Sequence, residues 1–135
     1  MPTADRRLYS DGTAIWYIDN LWPIANDLPV FDFVITDLPQ LDEVGWFSDA
    51  WGKRATYRAV IDHCRRILAA DTSWPVILAP VDAPHHGCIL DGIHRIAKTL
   101  LEGGSTVRAV RLRTMPPPDE WIAAGDPRFA PVPNS

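Results

Sequence analysis

The chain has 135 residues, of which 47% are hydrophobic and 22% charged, and its formal net charge is -4 at pH 7. This composition excludes a disordered chain and is typical of one globular domain with a buried core. No apolar run reaches the roughly 20 residues of a membrane-spanning helix, and no apolar segment after Arg6 and Arg7 makes a signal peptide. The two cysteines, Cys64 and Cys88, are interpreted as small core residues of a protein in the reducing cytoplasm.

The first 29 residues predict an N-terminal extension that packs on a core domain. Residues 14–18 are short and rich in strand-forming side chains. Asp19 is then expected to cap a short helix that continues to about Asp27 and ends before Pro29.

Residues 30–114 predict the core domain, with a strand at 30–35 and an amphipathic helix at about 54–70. The apolar residues of that helix recur at the helical period, and its charged residues lie on the other side. Strands are predicted at 74–78, 88–90 and 106–112, and a second helix opens near Ile93 and ends at Gly103. The order β-α-β-β-α-β predicts a small α/β (α+β) fold with one mixed sheet and both helices packed on it. The apolar positions of the first helix are Tyr57, Val60, Ile61, Cys64, Ile67 and Leu68.

Residues 115–135 are rich in proline and predict a tail rather than a further domain. We expect this tail to pack on the core through Trp121 and Ile122 and then to fray.

The start of the second helix carries the residues with the clearest chemical potential. Asp91 is well placed as an N-cap, and Gly92 allows close approach of backbone or ligand. The first turn of a helix exposes N–H groups and a partial positive charge, which suit a phosphate. Arg95 can add a bidentate contact, and His94 a hydrogen bond or a proton. The core-facing stripe of this helix is expected to be Ile93, Ile96, Ala97, Leu100 and Leu101, with Asp91, His94, Arg95, Lys98 and Glu102 on the other faces.

Asp91 conflicts with phosphate binding at this turn, because a capping carboxylate competes with a phosphate for the same N–H donors. Either Asp91 turns outward to hold Mg²⁺ or a substrate hydroxyl, or the turn holds no phosphate. In the simplest alternative Asp91 caps the helix and pairs with Arg95, while His94 and Lys98 form a solvated face.

The segment "ILDGIHRIAKTLLEGG", followed by "TVRAVRL", resembles the signature of the ParB/sulfiredoxin-like superfamily. The resemblance covers about residues 30–114 and implies that the turn Asp91, Gly92, Ile93, His94 and Arg95, with Lys98 beyond it, binds nucleotide phosphates. Ile93 stands where sulfiredoxins carry their reactive cysteine, and Cys88 in the preceding strand does not replace it. Sulfinic-acid repair is therefore not expected.

A second stretch, "DLPQLDEV", is similar to the segment that supplies a catalytic glutamate in the free-serine kinase branch of that superfamily. The resemblance implies that Glu43, or Asp42 beside it, acts as a base or helps to hold Mg²⁺, although the histidine of that branch is missing here. The implied activity is a small ATP- or ADP-dependent phosphotransferase or NTPase acting on a hydroxyl-bearing substrate. The implied cofactor is ATP, ADP or CTP with Mg²⁺.

The alternative function is a non-catalytic ParB-like module that binds a nucleotide, DNA or a protein. The net negative charge disfavours DNA binding, and the sequence predicts no membrane partner. A homodimer is compatible with the sequence. The aromatic residues Trp46, Phe47 and Trp51 either wall a pocket for a base or simply pack together.

Overall fold

The computed structural model of the chain describes residues 7–43, 45–47, 54–81 and 89–124. Within these residues there are two small sheets and three α-helices, which confirms the predicted α+β class. In chain order the elements are β1 (Leu8–Ser10), β2 (Ala14–Tyr17), α1 (Ile18–Ala25), β3 (Phe31–Val34), a 3₁₀ helix (Pro39–Asp42), α2 (Tyr57–Ala69), β4 (Val76–Leu78), β5 (Ile89–Asp91), α3 (Ile93–Leu101), β6 (Thr106–Arg111) and β7 (Glu120–Trp121).

The central sheet has the strand order β3-β6-β4-β5. Strands β4 and β6 are parallel, whereas β3 pairs with β6 and β5 pairs with β4 in antiparallel fashion. The sheet is therefore mixed, and the elements from β3 to β6 follow the predicted β-α-β-β-α-β order. The strands and helices fall within a few residues of the predicted positions.

Strand β4 is buried on both faces, because alternate residues of β4 and of the second half of β6 point into two separate apolar clusters. Val76, Leu78 and Val107 lie in a cluster with Ile96 of α3. Ile77 and Val110 lie in the opposite cluster, which also contains residues of α1 and β2. A strand that is covered on both faces has a nearly continuous apolar sequence, as the run from Val76 to Ala79 does.

The N-terminal extension is the layer that covers this second face. Strands β1, β2 and β7 form an antiparallel sheet, so the segment after residue 115 adds its edge strand. The Asp119 carboxylate accepts hydrogen bonds from the backbone N–H of Tyr17 (2.7 Å) and the side chain of Asn20 (2.9 Å). Two predictions were wrong here. Helix α1 begins after Tyr17 without a side-chain cap from Asp19, and Trp121 is exposed rather than packed.

Helix α2 forms as predicted, with Thr56 accepting from the N–H of Ala59 as its N-cap, but its apolar stripe does not face the core. Of the six apolar positions only Ile67 is buried, and Cys64 is exposed rather than a core residue. In α3 the predicted stripe is confirmed at Ile96, whereas Leu101 is exposed. The inner side of α2 carries small and polar residues, which line a cleft.

No helix in the described part of the chain is both long and apolar enough to cross a membrane. The interpretations placed on Trp51, on Cys88 and on residues beyond 124 lie outside the described residues.

Candidate binding cleft

A cleft of about 970 Å³ opens between α2 and the first turn of α3. Its volume lies at the upper end of the range of about 300–1,000 Å³ that is usual for small-molecule sites. Gly92, Ile93, His94 and Arg95 form one wall, and His63 and Arg66 of α2 form another. Residues from other segments also line the cleft, among them Arg7, Trp46, Phe47, Arg54, Asp71 and Trp74.

Gly92 makes the abrupt turn from β5 into α3. It is the N-cap residue and has a φ of +117°, a left-handed conformation that only glycine adopts without strain. A Cβ at this position would lie 2.4 Å from Cγ1 of Val76. The first backbone bond of α3 runs from the N–H of Ile96 to the Gly92 carbonyl, so the N–H groups of residues 93–95 have no partner within the helix.

Asp91 does not cap α3, which corrects the prediction made from its position before Gly92. It is the last residue of β5 and is buried. One carboxylate oxygen contacts Arg7 Nη2, and the other accepts a hydrogen bond from Trp22 Nε1 (3.1 Å) and lies 3.6 Å from Arg95 Nη2. The pairing of Asp91 with Arg95 is therefore present without the cap. The carboxylate does not compete with a ligand for the first-turn N–H groups.

The same contacts bear on the expectation that Asp91 holds Mg²⁺. Both of its oxygens already face cations or donors, and a metal ion would have to displace Arg7 or Arg95. Among the described residues no group of three or more His, Cys, Asp or Glu side chains could hold a metal ion. Mg²⁺ usually combines one or two carboxylates with waters and substrate phosphates. Asp91 thus fits an ion-pair partner and does not fit a metal ligand.

Arg95 is fixed by its own neighbours while it lines the cleft. Its Nη1 donates to the Pro75 carbonyl (3.1 Å), and its guanidinium lies 5.8 Å from the centre of the Trp22 ring. Burial lowers the pKa of Arg95 from its usual value, although the group stays a cation at neutral pH. Arg95 is therefore a preorganised positive charge at the start of α3.

His94 pairs with His63 of α2, which the sequence analysis did not single out. Nε2 of His94 lies 3.0 Å from Nδ1 of His63. The indole of Trp46 stacks on both imidazoles, with ring centres 4.6 Å from His94 and 4.8 Å from His63. Burial, together with the neighbouring His63 and Arg66, lowers the pKa of His94 to about 4. His94 is therefore neutral at pH 7 and can donate or accept a hydrogen bond there.

The charge of the cleft is opposite in sign to that of the whole chain. Four arginines line the cleft, and only two described carboxylates do, Asp71 and Asp91. The four arginines of the lining outnumber its two carboxylates, although Arg66 also pairs with Asp62 of α2 (3.0 Å). The lining therefore carries an excess of positive charge. Such a cleft favours an anionic ligand.

The structure does not bring every predicted residue to this cleft. Asp42 and Glu43 are exposed at the end of the 3₁₀ helix and are not among the lining residues. Gln40 of that helix contacts β5 instead. Its Oε1 accepts a hydrogen bond from the backbone N–H of Ile89 (2.6 Å), and its Nε2 donates to the Ile89 carbonyl (3.3 Å). Lys98 points to the end of α2, where its Nζ donates to the carbonyls of Leu68 (3.0 Å) and Ala70 (2.9 Å).

One signal could have located His63 and Arg66 in advance. They lie on the face of α2 opposite the apolar stripe, and Ala59, His63, Arg66 and Ala70 recur at helical spacing and all line the cleft. Arg7 and Trp46 carry no comparable local signal, because they reach the site from distant parts of the sequence.

No protein-family model, curated protein or solved structure matches this chain.

Proposed function

We propose that this chain is a ParB/sulfiredoxin-like domain that binds a nucleotide in the cleft, with the phosphates at the first turn of α3. The observation that carries the proposal is the convergence of three features in one cleft. The first-turn N–H groups of α3, the four lining arginines and an aromatic wall all belong to it. N–H groups at a helix start and arginine side chains are the two protein features best suited to phosphate oxygens.

The aromatic wall supports a nucleotide over a simple inorganic anion. Trp46, Phe47 and Trp74 line the same cleft as the arginines. An aromatic ring offers a stacking surface to any nucleobase, worth roughly 1–3 kcal/mol per base in single-stranded nucleic-acid sites. The proposed ligand therefore has a polyanionic end and a flat aromatic end.

A binding role is favoured over catalysis by the position of the acidic residues. Asp42 and Glu43, the expected bases, lie outside the cleft lining, and Asp91 is held in ion pairs. Phosphoryl transfer to a hydroxyl-bearing substrate is the second candidate. Its support is the imidazole of His94 in the same turn, which is neutral at pH 7 and can accept a hydrogen bond from a hydroxyl. In that case Mg²⁺ would arrive with the nucleotide phosphates. A cytoplasmic location stays a prediction.

The first test is a thermal-shift panel of ATP, ADP, CTP and GTP, each with and without Mg²⁺. A nucleotide present at about 100 times its Kd should add about 2.7 kcal/mol to the free energy of unfolding. If none of the four nucleotides raises the melting temperature at millimolar concentration, the proposal fails. Product analysis of the same mixtures separates binding from turnover.

Arg66→Gln should lower nucleotide affinity by roughly 10- to 150-fold, because a charge-assisted hydrogen bond contributes about 1.5–3 kcal/mol. Titration calorimetry measures this loss directly. The matched control is Arg58→Gln, on the same helix but exposed and outside the cleft lining, which should bind like the wild type. Equal affinities for the two variants would place the ligand elsewhere.

A further inference from the structure

The outer face of α2 carries an apolar stripe that nothing in the described part of the chain covers. The stripe consists of Tyr57, Ile61, Cys64 and Leu68. The exposed fractions are 93% for Tyr57, 57% for Ile61 and 74% for Leu68, and Cys64 is also exposed. Val60, at 40%, widens it. Contiguous apolar patches on soluble proteins are usually small, and larger ones mark interaction sites.

The geometry of the stripe favours a helical partner. Its four residues are spaced four, three and four apart, which is the spacing of a coiled-coil seam. From Tyr57 to Leu68 the seam extends about 17 Å, since a helix rises about 1.5 Å per residue. The residues that line the nucleotide cleft lie on the opposite side of α2, so both surfaces can be occupied at once.

The charges beside the stripe indicate the chemistry of that partner. Arg58 and Arg65 are exposed, lie seven residues apart along one flank, and form no ion pair within the described residues. The single acidic residue of α2, Asp62, is engaged with Arg66 at 3.0 Å. The flank is therefore purely basic, and carboxylates on the partner would complement it.

The same charges disfavour a second copy of this chain. If two α2 helices packed in antiparallel fashion along their stripes, Ile61 would meet Cys64 of the other copy. Arg58 would then lie close to Arg65 of that copy. Like charges placed opposite each other in an interface weaken it and act against the wrong partner.

We propose that the α2 stripe binds an acidic amphipathic helix of a partner protein. The apolar seam of that helix packs along Tyr57, Ile61, Cys64 and Leu68, and its carboxylates pair with Arg58 and Arg65. This surface is separate from the nucleotide cleft and does not depend on what the cleft binds.

Two labelled, side-chain-cross-linked helical peptides of about 14 residues test the proposal by fluorescence anisotropy. Both carry leucines at the four-three-four spacing, and the flanking positions are glutamates in one peptide and lysines in the other. The acidic peptide should bind saturably, and more weakly as salt is added. The basic peptide should bind about tenfold more weakly or not at all, since the ion pairs with Arg58 and Arg65 are lost and like charges face each other.

Variants of the protein assign the binding to the stripe. Ile61→Glu should abolish binding of the acidic peptide, whereas Leu101→Glu, at an exposed leucine of α3, should leave it unchanged. Circular dichroism checks that both variants fold. The double change Arg58→Glu with Arg65→Glu should reverse the preference, so that the basic peptide binds better.

Four outcomes would overturn the proposal. The acidic peptide fails to bind saturably, or both peptides bind equally well. Sedimentation shows a wild-type dimer that Ile61→Glu dissociates, which would make a second copy the occupant. Vesicles containing phosphatidylserine bind the wild type and not Ile61→Glu while the acidic peptide does not bind, which would make the stripe a membrane contact.

Discussion

At the scale of single residues, Gly92 is a position where both the backbone conformation and the packing require glycine. Its left-handed φ turns the chain from β5 into α3, and its missing Cβ leaves room for Val76. The turn places the first residues of α3 in the cleft lining and at the same time packs against Val76 of the central strand β4. A side chain at Gly92 would disturb both the fold and the site.

Gly92→Ala should lower the free energy of unfolding by about 2–5 kcal/mol, because backbone strain of about 1–2 kcal/mol adds to an overpacking cost of about 1–3 kcal/mol. Urea denaturation followed by circular dichroism measures the loss. Gly12→Ala is the matched control, since Gly12 also has a positive φ but has open space around its missing Cβ. The free energy of unfolding of Gly12→Ala should fall only by the cost of backbone strain, about 1–2 kcal/mol. If the two variants lose the same stability, the contact with Val76 does not matter.

At the scale of elements, polar contacts join α2 and α3 at two places. Lys98 donates to the last carbonyls of α2, where a cation also complements the helix dipole. At the other end of the pair, the His63–His94 contact and the Trp46 ring connect the two helices across the cleft. The spacing between the helices, and with it the width of the cleft, depends on these contacts.

The burial of His94, together with its contact with His63, predicts a pH dependence of stability. The pKa of His94 falls from 6.5 in the unfolded chain to about 4 in the folded protein. The unfolded state therefore binds more protons between these two pH values. The contribution of His94 to stability is fully present above about pH 6.5 and is lost as the pH falls towards 4. Because His94 is only half-buried, solvent screening reduces the effect, and we expect a loss of about 1–2 kcal/mol.

Urea denaturation at several values between pH 7 and pH 4 measures this loss. His94→Gln keeps a polar side chain at the site but cannot be protonated, so its stability should fall less over the same range. If wild type and His94→Gln show the same pH dependence, the paired histidines do not contribute to it.

The elements could be predicted from the sequence, but the orientation of α2 could not. Helical periodicity at Tyr57, Ile61 and Leu68 indicates a helix with one apolar face, and it says nothing about what that face meets. In α2 the inner face lines a cleft, so small and polar residues line it, and of the predicted apolar positions only Ile67 is buried. In α3 the stripe around Ile96 was predicted correctly, because that helix packs on the sheet.

The candidate site was predictable only where its residues are neighbours in sequence. The pairing of Asp91 with Arg95, one helical turn apart, was among the alternatives considered. The contacts of Asp91 with Arg7 and Trp22 were not, because they join residues 84 and 69 positions apart. A local pattern contains no information on such pairs, which the packing of the N-terminal layer determines.

At the scale of the whole molecule, Asp91 connects the layers of the fold. Arg7 precedes β1, Trp22 belongs to α1, and Arg95 belongs to α3, and all three converge on one buried carboxylate at the end of β5. The N-terminal layer and the helix that forms the cleft are therefore linked through a single charge. The electrostatics of the cleft and the stability of the fold depend on the same residue.

Asp91→Asn tests this link. The amide can still accept from Trp22, but it cannot neutralise the largely buried guanidinium of Arg95, so an uncompensated charge remains in the interior. Breaking a buried ion pair by removing one partner usually costs about 3–5 kcal/mol; because Arg7 can turn to solvent, we expect a loss of about 2–4 kcal/mol. The control is Asp62→Asn, the same substitution in the exposed pair with Arg66, which should cost less than about 0.5 kcal/mol. Urea denaturation of both variants at pH 7 gives the two values. A loss for Asp91→Asn no larger than that for Asp62→Asn would mean that the layers are held by their apolar clusters alone.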